Sequence, residues 1–256
     1  RTRELNIAAA NLAREAVEAH YSISGRQAIV AGSIGPTGEL FKPLGQLTHM
    51  TARAGFTEQA EALAEGGVDI LWIETMSSTE EVAVAIEAAR KTGLPICATM
   101  TFDTATRSMM GVTPADFAKF AIASGANFIG ANCGIGPAEL LHSIRGILSE
   151  TDNLPVVAKG NCGIPAYVDG AIHYHGTPEL MAEYALFARD IGAKIIGGCC
   201  GTSPAHVAAM VSALDATPVR DFDDEAMIAA LGEAWVDVKM DKLKGSSRRN
   251  RRGRRR

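Results

Sequence analysis

Five cysteines stand in this 256-residue chain, and three of them are placed where they could act together. Cys133 lies in Gly130-Ala131-Asn132-Cys133-Gly134, at the end of an apolar run. Cys199 and Cys200 lie in Gly197-Gly198-Cys199-Cys200-Gly201, at the end of another. Adjacent cysteines make poor disulfide partners, because the bridge strains the peptide between them. They can share one metal ion where the backbone breaks into a turn, and the flanking glycines permit that turn. Three thiolates suit Zn2+, a borderline-soft ion, and leave one corner of its tetrahedron open, which is the arrangement of a catalytic zinc. No C-x-x-C pair offers a closed four-cysteine site. Cys97 lies inside an apolar run and reads as a small core residue. Cys162, in Lys159-Gly160-Asn161-Cys162-Gly163, lies just past a run, but three ligands already suffice.

The elements that must position these thiols alternate along the chain. Strand-like apolar runs occur at 28–34, 68–74, 95–102, 128–132, 154–159 and 193–197. They are short and almost continuously apolar, as parallel strands covered on both faces are. Segments of helical period lie at 4–19, 57–65, 79–91, 114–123, 137–149, 178–191 and 204–214. Four helices open with proline behind a small residue: Thr113-Pro114, Gly136-Pro137, Thr177-Pro178 and Ser203-Pro204. Proline fits the first helical position, where its missing N–H has no helical partner. Glycines 66, 67, 93, 125 and 192 close helices before the next run.

Such βαβα succession implies a parallel sheet with right-handed crossovers, either an open doubly wound sheet or a closed (β/α)8 barrel. In both, functional groups gather at the C-terminal strand ends, where the three cysteines fall. The chain shows six strand runs, and a helix comes first. The expectation is therefore a (β/α)8 TIM barrel over residues 1–214 that lacks its first two βα units in this chain. Residues 215–245 are expected to form a helical extension, with Phe222, Met227, Leu231 and Trp235 as the apolar stripe of one helix within 221–243. Residues 246–256 are expected to be an Arg-rich disordered tail.

Composition bounds the function classes. With 47% hydrophobic and 21% charged residues, disordered, collagen-like and coiled-coil chains are excluded. No uninterrupted apolar stretch reaches the ~18 residues of a membrane span. No charged-then-apolar leader opens the chain, so a cytoplasmic location is expected. Seven of the last nine residues are Arg, and without them the net charge moves from −4 to −11. The body is acidic and carries no nucleic-acid footprint. An odd number of cysteines in a chain of this size argues against a disulfide scaffold and for metal or catalytic thiols in a reducing compartment.

The segments GANCGIGP (130–137) and IIGGCCGTSPAHV (195–207) resemble the two zinc motifs of the homocysteine S-methyltransferase family. AGSIGPTG (31–38), ILWIET (70–75) and the NCGIP run (161–165) also match the family's pattern, over about residues 1–214. The resemblance implies a (β/α)8 barrel with zinc held by Cys133, Cys199 and Cys200 at its mouth. It implies methyl transfer to the thiol of homocysteine, giving methionine, with the three cysteines acting through the metal. It assigns Glu74 to the substrate ammonium. The family's first strand supplies an Asp-Gly pair that also contacts substrate, and this sequence lacks that strand. The chemistry agrees with the resemblance, since a thiol is a weak nucleophile until ionised and zinc lowers its pKa. Asn132, beside Cys133, is expected to orient the ligand loop or line the substrate pocket. Ser33, at the end of AIVAGS, is expected to line the same pocket.

Other features read blandly. Gly32, Gly35 and Gly38 lack the Lys-Ser/Thr and the spacing of a phosphate loop, which disfavours a nucleotide enzyme. His173 and His175 read as a solvated or packed loop, and His206 as a helix-capping residue. For the methyl donor, Glu74-Thr75 and the NCGIP run look closer to the methionine synthase module than to betaine enzymes, which place Tyr after that Glu. Methylcobalamin would then come from a separate cobalamin-binding protein or domain. Betaine and S-methylmethionine stay open as donors, an oligomer is compatible, and neither nucleic acid nor membrane is expected as partner. A non-catalytic zinc-binding or redox-sensing barrel is the alternative from another class.

Overall fold

The computed structural model describes residues 1–151, 153–163 and 165–234. The sheet is assembled from β1 (Ala31–Ile34), β2 (Ile70–Met76), β3 (Ile96–Met100), β4 (Phe128–Cys133), β5 (Val156–Gly160) and β8 (Ile195–Gly198). All are parallel and pair in the order β1-β2-β3-β4-β5-β8. Main-sheet strands succeed one another with no reversal of direction across the sheet. A doubly wound sheet would show such a reversal, whereas a barrel does not. The sheet also curls. Strands three apart on a flat sheet lie about 14 Å apart, yet Lys159 of β5 reaches an ion pair with Glu74 of β2. The result is a curled half-barrel, a partial (β/α)8 architecture.

The helices are α1 (Thr2–Ser24), α2 (His49–Glu65), α3 (Thr79–Ala89), α4 (Pro114–Ala123), α5 (Pro137–Leu148), α6 (Pro178–Asp190), α7 (Pro204–Ala216) and α8 (Asp224–Leu231). Proline occupies the first turn of α4, α5, α6 and α7, as the dipeptides predict. Thr113 and Thr177 also cap α4 and α6 with their side chains. Between sheet and helices sits a continuous apolar core that includes Leu71, Ile73, Ile86, Met100, Phe117, Ile129, Leu141 and Ile144. A close-packed core of this kind holds the strand ends rigid.

Three elements depart from the sequence reading. Helix α2 begins at His49, eight residues before the predicted start, because Thr48 and Thr51 form a reciprocal capping box. Gly55 interrupts the helical propensity there, but Ala52, Phe56, Ala60 and Leu63 still bury one face. A β-hairpin, β6 (Pro165–Val168) with β7 (Ala171–Tyr174), is inserted after β5. Its turn is Asp169-Gly170, both with positive φ, which is the backbone that Asp-Gly favours between hairpin strands. The C-terminal extension contains the short helix α8, which buries Met227 and packs Leu231 against the core, while Phe222 packs there from the segment before the helix. The predicted 221–243 helix is thus corrected: residues 221–223 precede α8, and Gly232 ends it at φ 87°, so 232–234 are not helical. Residues 235–243, with Trp235, and the Arg-rich tail lie outside the described residues.

Candidate metal and substrate site

The cysteines are aimed by unusual backbone. Cys133 ends β4 at φ 63°, in the left-handed region. That conformation costs a non-glycine residue about 1–3 kcal/mol and persists only where neighbours impose it. Here the neighbours are Asn132 before it and Gly134 after it, whose carbonyl accepts from Asn161 Nδ2 at 2.6 Å. After β8 the Cys199 N–H donates to the Gly160 carbonyl at 2.6 Å. Cys200 is gripped on both sides: its N–H donates to Asn161 Oδ1 at 3.1 Å, and its carbonyl accepts from the Cys162 N–H at 2.9 Å. Gly201 follows at φ 78°, and a Cβ there would lie 2.4 Å from the Tyr174 ring. Asn161, 1% exposed, thus ties the Cys133 loop to the Cys199-Cys200 loop through one amide.

This clamp brings the Cys133, Cys199 and Cys200 sulfurs within 4.8 Å of one another, the only such cluster of metal-binding side chains among the described residues. Cys133 and Cys200 sulfurs are 3.9 Å apart. Thiolates at 2.3 Å from a tetrahedral zinc stand about 3.8 Å from one another, so the donor set and its spacing fit that ion. Cys133 and Cys199 are half-buried and Cys200 is exposed, which leaves the cluster open on one side.

The three thiols differ electrically. The Cys133 thiol donates to Cys199, holding the Cys199 pKa down to about 5 against its burial. The Lys159 charge and the Asn132 amide, 3.8 Å from the sulfur, add to that stabilisation. Cys133, as the donor, is pushed far up by the same bond and by burial. Tyr174, at the end of β7, has its hydroxyl pushed up to about 12 by burial and by a hydrogen bond with Cys200.

Beside the thiols lies a charged pair. Strand β2 carries one extra residue relative to β3 between Ile73 and Met76, and Thr75 within that bulge sits at φ 61°. Bulges re-aim side chains beside functional sites. Here the bulge is held by Asn132, which is fully buried. Its Oδ1 accepts from the Thr75 N–H at 2.8 Å and from Thr99 Oγ1 at 2.7 Å, and its Nδ2 donates to Thr75 Oγ1 at 2.8 Å. Glu74 accepts from Ser33 Oγ at 2.6 Å on one oxygen and from Lys159 Nζ on the other. Lys159 also lies 5.3 Å from the centroid of the Trp72 ring.

Of the residues singled out by type and spacing, Cys133, Cys199, Cys200 and Asn132 meet in one cluster, and Ser33 meets Glu74. Cys97 is fully buried in β3. Cys162 is 1% exposed and stands outside the trio, with its sulfur 3.0 Å from the Gly176 carbonyl and 3.0 Å from His206 Nε2. His206 completes a capping box with Ser203. His173 and His175 are exposed and join no metal-binding cluster among the described residues. Spacing missed Asn161, Lys159 and Tyr174. Lys159 had a signal, since a lysine at the end of the run VVAK is out of place in a core strand.

The half-barrel places a three-thiol cluster that could hold a metal ion, with a carboxylate beside it, at its C-terminal strand ends. Residues 1–214 match the family Homocysteine S-methyltransferase, and the chain belongs to that family. It is 29% identical over 215 residues to a methionine synthase of Mycobacterium tuberculosis, covering 80% of this chain but 18% of that protein. It is 32% identical over 235 residues to the S-methylmethionine–homocysteine S-methyltransferase BHMT2 of Rattus norvegicus, covering 85% of this chain and 61% of that protein. Both relatives are thus longer than the stretch this chain spans. Among solved structures, the homocysteine methyltransferase MmuM of Escherichia coli in its metallated form has the same fold, with TM-score 0.69 and 24% identity, covering 82% of this chain and 70% of that one. Among the described residues, no helix is long and apolar enough to cross a membrane.

Proposed function

We propose that the protein is a zinc-dependent S-methyltransferase that moves a methyl group onto the thiol of homocysteine, forming methionine. The observation that carries this reading is the meeting of Cys133, Cys199 and Cys200 within 4.8 Å at the open end of the half-barrel. Cys133, Cys199 and Cys200 would hold a Zn2+, which would supply a Lewis acid able to lower the pKa of a substrate thiol. The chain's own residues do the rest. Asn161 and Asn132 hold the two ligand loops and the Glu74-Thr75 bulge in register. Glu74 offers its carboxylate to the substrate ammonium, with Ser33 fixing its rotamer. In the reaction the thiol proton passes to solvent, the sulfur attacks the methyl carbon to form the S–C bond, and the electron pair of the broken methyl–donor bond leaves with the demethylated donor.

The donor we infer is methylcobalamin, delivered by a separate domain or protein, and Thr75 after Glu74 supports that choice. The 32% identity to an S-methylmethionine-using relative favours S-methylmethionine as the second reading. We further infer a cytoplasmic setting, whose reducing conditions keep all five cysteines free. The test is methionine formation from homocysteine by the zinc-loaded protein with methylcobalamin, S-methylmethionine or betaine. Turnover with one donor supports the reading and names the donor. No methionine with any of them overturns it.

A further inference from the structure

Lys159 projects from β5 toward Glu74, and their ion pair is largely enclosed, with 26% and 18% of the two side chains exposed. Among the described residues, Glu74 is the only carboxylate ion-paired with Lys159, and Lys159 the only cation paired with Glu74. The pair shares one end of the half-barrel with the thiols. Lys159 stands in register opposite Asn132, and Asn132 reaches both the Glu74-Thr75 bulge and the Cys199 sulfur.

This closed pair sets a condition on any substrate. A cationic amine bound at Glu74 competes with Lys159 for the same carboxylate. Once displaced, Lys159 would stay mostly enclosed but lose the carboxylate it is ion-paired with, and breaking an enclosed ion pair is strongly disfavoured. An α-amino acid carries the remedy one carbon away from its ammonium. We propose that Lys159 recognises the α-carboxylate of the thiol substrate, so that the zwitterion inserts between Lys159 and Glu74 and exchanges one internal ion pair for two intermolecular ones. The exchange buries no net charge. A lysine suits it, because its ammonium is a compact charge on a flexible four-carbon stem and can swing from one oxygen to another. The inference rests on the homocysteine reading above and adds to it a specificity determinant for the carboxylate end.

The experiment compares homocysteine with 3-aminopropanethiol, the same molecule without its carboxylate, by titration calorimetry on the zinc-loaded protein. The natural chain should bind homocysteine about 100-fold more tightly than 3-aminopropanethiol, equal to about 2.7 kcal/mol. K159M should bring the two thiols within about threefold, through weaker homocysteine and stronger 3-aminopropanethiol binding. K159R should keep most of the preference. Zinc content near one equivalent in each variant shows that the site has folded, and K159Q is read in place of K159M if that variant loses its zinc. Equal binding of both thiols by the natural chain overturns the assignment of Lys159 and leaves the homocysteine reading standing. So does an equal loss for both thiols in K159M, which would mean that Lys159 merely orders Glu74. If neither thiol binds the zinc-loaded natural chain, both readings fall together.

Discussion

Replacing Asn161 by Ala removes one buried amide and two hydrogen bonds, the 2.6 Å bond to the Gly134 carbonyl and the 3.1 Å bond from the Cys200 N–H. Both partners belong to loops that carry candidate ligands, and Asn161 itself is 1% exposed, so water does not replace the amide freely. A buried polar group stripped of its partner costs about 1–3 kcal/mol. In the metal-free protein the two loops can drift apart and recover part of that cost with solvent. Holding three sulfurs at one point denies them that relaxation, so the penalty falls mainly on the metal-bound state. If about half of the penalty for two orphaned groups is expressed there, zinc affinity falls by about 1–3 kcal/mol, or roughly 5–150-fold, which brackets the 10–100-fold seen when residues behind metal ligands are removed. The assay is competition for Zn2+ between the protein and a chromophoric chelator, with stoichiometry measured separately. The expected result is one zinc per chain in N161A, bound roughly 5–150-fold more weakly. Unchanged affinity would refute the argument that Asn161 holds the two loops in register for the ion.

Four further outcomes follow from the same geometry. Cys199→Ser should lose zinc and methyl transfer together, as metal analysis and the methionine assay on one preparation will show; full zinc content with normal turnover would remove Cys199 from the ligand set. Glu74→Ala should raise the homocysteine KM roughly 10–100-fold, the cost of a charge-assisted contact of about 1.5–3 kcal/mol, while zinc content stays at one; an unchanged KM would take Glu74 out of the substrate site. In the metal-free protein, iodoacetamide should modify Cys199 before Cys133 or Cys97 at pH 7, because Cys199 ionises near pH 5 while the other two are pushed up. Its rate should fall as pH drops through about 5, and peptide mapping by mass spectrometry reads the order. Tyr184→Phe should destabilise the fold by about 1–3 kcal/mol, since the fully buried hydroxyl is the partner of the Gly160 N–H at 3.1 Å. A thermal melt should register that loss as a drop of a few degrees.

Much of the molecule is legible in short stretches of chain. The Pro-led helix starts, the apolar runs and the Gly-flanked cysteines are local signals, because capping, periodicity and backbone freedom act over one or two turns. They place Cys133 and the Cys199-Cys200 pair at strand ends without reference to any distant residue. The Asp169-Gly170 turn is equally local, since that dipeptide favours the positive φ both residues adopt, although the strands flanking it show no alternation to announce a hairpin. The meeting of Glu74 with Lys159, 85 residues apart, is of another kind. It depends on how tightly the sheet curls, which no periodicity within one strand reports. The clamp at Asn161 likewise depends on two loops arriving from β4 and β8 on either side of β5. Residue types and spacing name the chemistry available to the chain; sheet curvature and long-range hydrogen bonds choose which charges face one another and which loop each amide holds.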